Sequence, residues 1–146
     1  MIKPTDLMTL AERLATVGAE TEGRSAISRA YYSAFHEARL LLEDGCGVRF
    51  QKSDAGIHRK ICNCLDESKS SELRSIAERL DTFRAERNRA DYDLAESRFA
   101  KQSNVQAQIT IAKKIIEQIN AASAKIAEFR PAVRQYASEV LKLGLR

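Results

Sequence analysis

The sequence predicts an all-α fold, an antiparallel bundle of four to five helices followed by a C-terminal helix. Apolar residues recur at spacings of three and four along almost the whole chain, and no stretch shows the sustained alternation of a half-buried strand. The composition of 44% hydrophobic and 30% charged residues, with six Gly and two Pro, is typical of helical globular proteins. Because 146 residues suit one hydrophobic core, we expect a single domain over residues 1–146, with the bundle at about 5–130 and the appended helix at about 131–143.

Three helices are predicted in the first half of the chain. The first begins after Thr5 as N-cap and runs toward Val17. The second spans Ser25 to Glu43 and stops at a glycine-containing turn. The third begins near Ser53 or Asp54. The residues expected to be buried in these helices are Leu7, Leu10, Leu14 and Val17, then Ile27, Ala30, Tyr31, Ala34, Phe35, Ala38, Leu41 and Leu42, then Ile57, Ile61 and Leu65.

Three more helices are predicted in the second half. The fourth runs from about Ser71 to Arg89, and a long polar connection follows over residues 90–103. The fifth spans roughly Asn104 to Arg130 in a heptad-like register, which fits either the bundle core or an oligomer seam. Pro131 breaks it and opens the sixth. The residues expected to be buried are Leu73, Ile76, Ala77, Leu80 and Phe83, then Ile109, Ala112, Ile116, Ile119, Ser123 and Ile126, then Val133, Tyr136, Ala137, Val140 and Leu141.

Several features predict a cytoplasmic location. No apolar run approaches the roughly 20 residues needed to cross a bilayer, and the first six residues lack the apolar core of a signal peptide. The three cysteines, Cys46, Cys62 and Cys64, are an odd number, whereas an exported disulfide framework normally uses an even set. We therefore expect reduced thiols and no membrane partner.

The net charge of +4 is concentrated toward the C-terminus. Residues 1–100 hold 16 basic and 17 acidic side chains, whereas residues 101–146 hold eight basic and three acidic ones. Such an excess attracts phosphate in nucleic-acid-binding proteins, but it also fits the solvated faces of two helices. Both interpretations stay open for the basic residues that carry the pattern, which are Lys113, Lys114, Lys125, Arg130, Arg134 and Lys142.

Arg87 has an unusual position in the fourth predicted helix. It follows Leu73 and Leu80 at intervals of seven, so it shares the face of the buried leucines. Burying a guanidinium is costly unless it meets an acidic group, a phosphate or a solvent-filled cleft. The alternative is that Arg84, Arg87 and Arg89 complement the negative end of the helix dipole.

Three blocks of the sequence resemble the HEPN superfamily. Residues 31–39, Tyr-Tyr-Ser-Ala-Phe-His-Glu-Ala-Arg, resemble its second-helix signature. Residues 52–56, Lys-Ser-Asp-Ala-Gly, are similar to the next block of one branch of the family. Residues 87–93, Arg-Asn-Arg-Ala-Asp-Tyr-Asp, are similar to the Arg…Ala-Asp-Tyr-Asp block of that branch. The three blocks follow one another in the order expected for the family, and the resemblance covers about residues 5–127.

The resemblance implies a four- or five-helix bundle that dimerises and, in many members, cleaves RNA without metal. In those enzymes an Arg, the polar residue after it and a His four to six residues beyond the Arg converge from two subunits. Arg87 takes the first place and Asn88 the second, while Tyr92 stands where the His is expected. Four further residues in or next to these blocks are candidates for a supporting role, namely Arg84, Asp91, His36 and Tyr32.

Tyr92 changes the expected chemistry. A His with a near-neutral pKa can take the proton of the 2′-hydroxyl, whereas a Tyr, with a pKa of about 10, is a poor base at pH 7. His36 is a candidate substitute base because it shares a helix face with Tyr32, the alternative being a structural histidine. Family toxins that are silenced by a nucleotidyltransferase are adenylylated on a Tyr two residues past the His. This chain has Leu94 at that position, so adenylylation is not expected here.

Two functional hypotheses follow. The first is a HEPN-type, metal-independent endoribonuclease acting as a dimeric toxin or phage-defence component, with a nucleotidyltransferase or antitoxin as a candidate partner. The second is a non-catalytic HEPN module that binds RNA, a nucleotide or a partner protein, and a plain helical adaptor is a third interpretation. We expect no cofactor and no metal, because His58, Cys62 and Cys64 fall short of a zinc-ligand set. The sequence also lacks a Gly-rich phosphate loop, a nucleophile elbow and a paired His-Glu zinc motif.

Overall fold

The computed structural model describes residues 1–146 and contains six α-helices. They are α1 (Pro4–Ala15), α2 (Glu20–Leu40), α3 (Ile57–Asp66), α4 (Ser71–Tyr92), α5 (Gln102–Ser123) and α6 (Ile126–Glu139). The predicted all-α, helical-bundle class is confirmed. None of these helices combines the length and the apolarity that crossing a membrane requires.

Shorter elements connect the helices. A π-helical turn, Leu41–Gly45, follows α2, and a 3-10 turn, Arg98–Ala100, precedes α5. Strand β1 (Val48–Arg49) pairs in antiparallel fashion with strand β2 (Gly144–Leu145). The sequence did not predict this sheet, because two residues per strand are too few to show an alternating pattern.

The chain divides into two compact units. The first comprises Met1–His36 and Leu80–Ile115, and the second comprises Glu37–Arg79 and Ile116–Arg146. The largest fully buried side chains are Ile27, Tyr31, Leu80, Phe83 and Ile115 in the first unit and Leu42, Val48, Ile61, Leu65, Leu73, Ile76 and Val133 in the second. The single domain expected over residues 1–146 stays a prediction.

Helix α1 begins two residues before the predicted start and buries a different face. Pro4 occupies the first helical position, and the Asp6 carboxylate accepts a hydrogen bond of 2.7 Å from the Lys3 N–H. Proline presets the helical φ and the acidic side chain satisfies an orphan donor, so this start is favoured over Thr5 as N-cap. The helix also ends early, and the side chains it buries are Met8, Ala11 and Ala15, whereas Val17 is exposed.

The bounds of α2 and α3 also differ from the predicted ones. Helix α2 begins at Glu20 rather than Ser25 and changes into the π-helical turn after Leu40. Gly47, just beyond that turn, has φ +73°, the left-handed conformation that glycine adopts without strain. Helix α3 begins at Ile57 because the Asp54 carboxylate first closes a turn by accepting the Gly56 N–H at 2.9 Å.

The predicted break at Pro131 is wrong. Helix α5 ends at Ser123, and Pro131 is the sixth residue of α6. The hydroxyl of Ser123 donates to the Asn120 carbonyl at 2.6 Å, a side-chain bond of the kind that competes with helical hydrogen bonds. The C-terminal helix is therefore Ile126–Glu139 rather than 131–143, and the buried stripe of α5 uses Ile115 and Ala122 in place of Ile116 and Ser123.

Candidate functional site

The first unit gathers five side chains of α2 and α4 around Arg87. The Arg87 guanidinium carbon lies 5.2 Å from the ring centroid of Tyr31 and 5.3 Å from that of Tyr32. Its Nη1 donates to Asp91 Oδ2 at 3.3 Å. We call this group the Arg87 cluster, and its members are Ser28, Arg29, Tyr31, Tyr32, Arg87 and Asp91.

The two tyrosine rings do more than the ion pair to hold Arg87 in place. The acidic residue follows the basic one by four positions, which is the weaker order for a helical pair, and the contact is long at 3.3 Å. A cation that lies against ring faces out of bulk water gains about 0.5 to 2 kcal/mol from each. These contacts explain how a guanidinium only 12% exposed is tolerated on the buried face of α4.

The environment keeps Arg87 charged. Burial is the largest effect and acts to lower the pKa of Arg87, but the hydrogen bond that Arg87 donates to Asp91 and the charges of Tyr32, Asp91 and Tyr31 outweigh it and raise the pKa. The side chain is a permanent cation with a fixed orientation. It can bind an anion, and it cannot serve as a base.

Both arginines of the cluster keep donors that no carboxylate accepts. Asp91 accepts only from Nη1 of Arg87, while Nε–H is buried without a hydrogen-bond partner and Nη2 donates to no acceptor of the chain. Arg29 lies 5.3 Å from the Tyr32 ring centroid, and its Nη2 donates only to the Ser28 hydroxyl, at 3.4 Å. Ser28 in turn donates to Asp91 at 3.3 Å. The cluster therefore holds two cations and one carboxylate.

Arg24 fixes the end of α4 that carries Asp91. It is 8% exposed, and its guanidinium donates to the backbone carbonyls of Ala90 and Asp93 at 2.9 Å each and of Glu96 at 2.8 Å. It also lies 5.3 Å from the centroid of the buried Phe99 ring. A cation at the last carbonyls of a helix satisfies acceptors that have no intrahelical donor. The predicted polar connection 90–103 is therefore wrong at its start, because α4 continues to Tyr92.

The predicted site residues separate into two groups. Arg87, Asp91 and Tyr32 belong to the cluster, whereas Tyr92 is 76% exposed and takes no part in the hydrogen bonds of the cluster. Asn88 and Arg84 are half-buried on α4 and do not join those bonds either. The dipole interpretation applies to Arg89, which is the basic residue in the last turn of α4.

His36 lies beside the cluster. Its ring centroid is 6.4 Å from that of Tyr32 and 5.1 Å from that of Phe35. The side chain is half-buried, so one face of the imidazole is held by aromatic neighbours. The first unit contains no other histidine, which makes His36 its only side chain with an ordinary pKa near neutrality.

Most of the C-terminal basic residues are engaged by the chain itself. Lys113 pairs with Glu12, and Lys125 pairs with Glu72 at 3.1 Å. In the second unit, Arg130 Nε donates to a backbone carbonyl of the glycine turn at 2.8 Å, and Arg134 Nη1 does so at 2.9 Å. Ion pairs and carbonyl contacts of this kind favour the solvated-face interpretation over a dedicated phosphate surface.

The three cysteines lie in the second unit as buried thiols, and no disulfide joins them. Cys62 Sγ contacts His58 Nε2 at 3.5 Å. No group of three or more His, Cys, Asp or Glu side chains is placed to hold a metal ion. Burial raises the pKa of Cys64 to about 12 and of Cys46 to about 11, so neither thiol is suited to act as a nucleophile near neutral pH.

No protein-family model, curated protein or solved structure matches this chain. The HEPN resemblance carried by its three sequence blocks therefore stays a prediction. The Arg87 cluster is therefore the feature of this chain that bears on its function.

Sequence reasoning missed Arg24, Ser28 and Arg29. Arg24 precedes Ile27 by three and Tyr31 by seven, so it shares the face of the buried stripe of α2. The same signal singled out Arg87 on α4, and it identifies Arg24 equally well. Arg29 gave no such signal, because its place beside Tyr32 depends on the side-chain conformation rather than on spacing.

Proposed function

We propose that this chain is a HEPN-like module whose Arg87 cluster binds a phosphate group of RNA. The observation that carries the proposal is the Arg87 guanidinium, held against Tyr31 and Tyr32 while its Nη2 donates to no acceptor of the chain. Asp91 accepts only from Nη1, and Nε is buried, so Nη2 is the donor that remains for a ligand. An oriented guanidinium suits a phosphate, which accepts charge-assisted hydrogen bonds.

The proposal favours binding over catalysis. Cleavage of RNA without metal needs a group that takes the 2′-hydroxyl proton, and Tyr92, which stands at the expected histidine position, is solvent-exposed and takes no part in the hydrogen bonds of the cluster. Arg87 alone supplies electrostatic stabilisation of a phosphate and no proton transfer. A cationic site without a group for proton transfer is suited to bind RNA rather than to cleave it.

Binding is tested with a fluorescent single-stranded RNA at low salt, followed by anisotropy. A hydrogen bond to a charged group contributes about 1.5 to 3 kcal/mol, so Arg87→Ala is expected to weaken affinity by roughly ten- to a hundredfold. Arg13→Ala is the matched control, because Arg13 is an exposed arginine of the same unit outside the cluster. Equal affinity of Arg87→Ala and the wild type would refute the proposal.

One observation favours the second candidate, a metal-independent endoribonuclease of the toxin or phage-defence type that acts as a dimer. His36 lies next to Tyr32, which itself contacts Arg87, and this neighbourhood supports His36 as the general base of such an enzyme. Incubation of tRNA or mRNA with the protein in EDTA tests it. The enzyme hypothesis expects cleavage by the wild type and its loss in both Arg87→Ala and His36→Gln, and RNA that stays intact with the wild type contradicts it.

A further inference from the structure

We infer that the Arg87 cluster takes two successive phosphates of one RNA strand, the first on Arg87 and the second on Arg29. This inference rests on the proposed function and deepens it, because it specifies the ligand. The smallest complete ligand is then a dinucleotide step with two phosphates rather than a single phosphate group.

Arg29 has the chemistry of an open anion site. Its side chain is half-buried and forms no ion pair with a carboxylate. The one hydrogen bond from its guanidinium goes to the neutral Ser28 hydroxyl at 3.4 Å, which is too long to compensate a charge. A partly desolvated cation without a counter-charge gains more from an anion than a fully hydrated surface arginine does.

Tyr32 sets the spacing between the two arginines. The guanidinium carbons of Arg29 and Arg87 each lie 5.3 Å from its ring centroid, so they are at most twice that distance apart. A flexible single strand can place consecutive phosphates within this span. Since both contacts use the same ring, the two cations keep a fixed relation to each other that independent surface arginines would lack.

The positive charge that Asp91 leaves uncompensated lies on Arg29. Asp91 is the only carboxylate of the cluster, and it neutralises one of the two guanidinium groups. The Ser28 hydroxyl donates to Asp91 at 3.3 Å and accepts from Arg29, so Asp91 is linked to Arg29 without a direct contact. A phosphate on Arg29 therefore meets an uncompensated charge, whereas a phosphate on Arg87 reaches Nη2, which donates to no acceptor of the chain.

The salt dependence of binding gives the number of RNA phosphates that the protein neutralises. For a single strand, the slope of log K against log [salt] changes by about 0.7 for each phosphate neutralised. With a short fluorescent oligouridylate, Arg29→Ala and Arg87→Ala are each expected to reduce the slope by about 0.7, and the double variant by about 1.4. Arg13→Ala is expected to leave the slope unchanged, and Arg29→Lys to keep it, because the charge is preserved.

Competition supplies a second readout. In the wild type, a uridine dinucleotide carrying two phosphates should displace the probe better than uridine monophosphate does, by roughly tenfold if the second contact contributes about 1.5 kcal/mol. In Arg29→Ala this advantage should disappear. Circular dichroism of each variant verifies that it is folded.

The outcomes separate the two proposals. If Arg87→Ala weakens binding while Arg29→Ala behaves like Arg13→Ala, the two-phosphate inference is overturned and the proposed function stands. If the wild type does not bind the oligouridylate, both fail. If Arg29→Ala and Arg29→Lys lose the same amount of slope, Arg29 acts through structure rather than charge, and the inference is again overturned.

Discussion

Replacing Arg24 by alanine should cost far more stability than replacing an ordinary arginine. Arg24 makes three short hydrogen bonds, of 2.8 to 2.9 Å, to the carbonyls of Ala90, Asp93 and Glu96. At about 1.5 kcal/mol each, the low end for charge-assisted bonds, their loss amounts to about 4 to 5 kcal/mol. The ion pair with the half-exposed Glu20 adds little.

Urea unfolding followed by circular dichroism measures this cost. The free energy of unfolding of Arg24→Ala should lie about 4 to 5 kcal/mol below that of the wild type, whereas Arg13→Ala should stay within about 0.5 kcal/mol of it. Hydrogen exchange should accelerate first over residues 90–99, where the lost contacts lie. A loss below about 1 kcal/mol, or uniform exchange along α4, would refute the role assigned to Arg24.

Three further predictions concern the second unit. Gly45→Ala should lower the free energy of unfolding in urea by about 1 to 3 kcal/mol, because a Cβ at Gly45 would overlap the side chain of Ile126. Gly56→Ala is the control, since a Cβ at Gly56 makes only an ordinary van der Waals contact. Pro131→Ala should raise the free energy of unfolding by about 1 to 2 kcal/mol, since it restores a helical donor inside α6, and a lower stability would contradict this. Burial raises the pKa of Cys64 to about 12 and of Cys46 to about 11, so both stabilise the fold below pH 9 and this contribution is lost as the pH rises toward 11 to 12. The urea midpoint should therefore fall above pH 9, and less steeply in Cys64→Ala; a midpoint that stays constant to pH 11 would be inconsistent with these shifts.

Spacing predicted the presence and order of all six helices because each carries an apolar stripe wide enough to detect. It predicted the helix ends poorly, since ends depend on single side chains. The Asp6 carboxylate starts α1 early, the Ser123 hydroxyl ends α5, and Pro131 is accommodated inside α6. Each of these effects is small beside the burial of a stripe, yet large enough to move a boundary by several residues.

The register of α5 shows a different limit. Ile115 and Ile116 are adjacent, so spacings of three and four fit either residue, and burial selects Ile115. The continuation of α4 to Tyr92 was not predictable from residues 90–92, which are polar or small. It depends on Arg24, more than sixty residues earlier in the chain, whose guanidinium caps the last carbonyls.

The candidate site was predicted in part. Arg87 was found because a guanidinium on an apolar face is anomalous, and Asp91 and Tyr32 came with the resemblance. Ser28 and Arg29 were not found, because a serine and an arginine on a half-exposed helix face have no distinctive spacing. Tyr92 was placed by its position in the block alone, and it is exposed at the end of α4.

Nuclear magnetic resonance of the Arg87 side chain tests the central claim most directly. Its Nε–H is buried and has no partner in the chain, so a phosphate on the neighbouring Nη2 changes the environment of this proton without competing with another bond. Titration with single-stranded RNA is predicted to shift the guanidinium resonances of Arg87 and slow the exchange of its Nη2 protons with water, while those of Arg13 stay unchanged. An Arg87 resonance that does not move at saturating RNA would contradict the account.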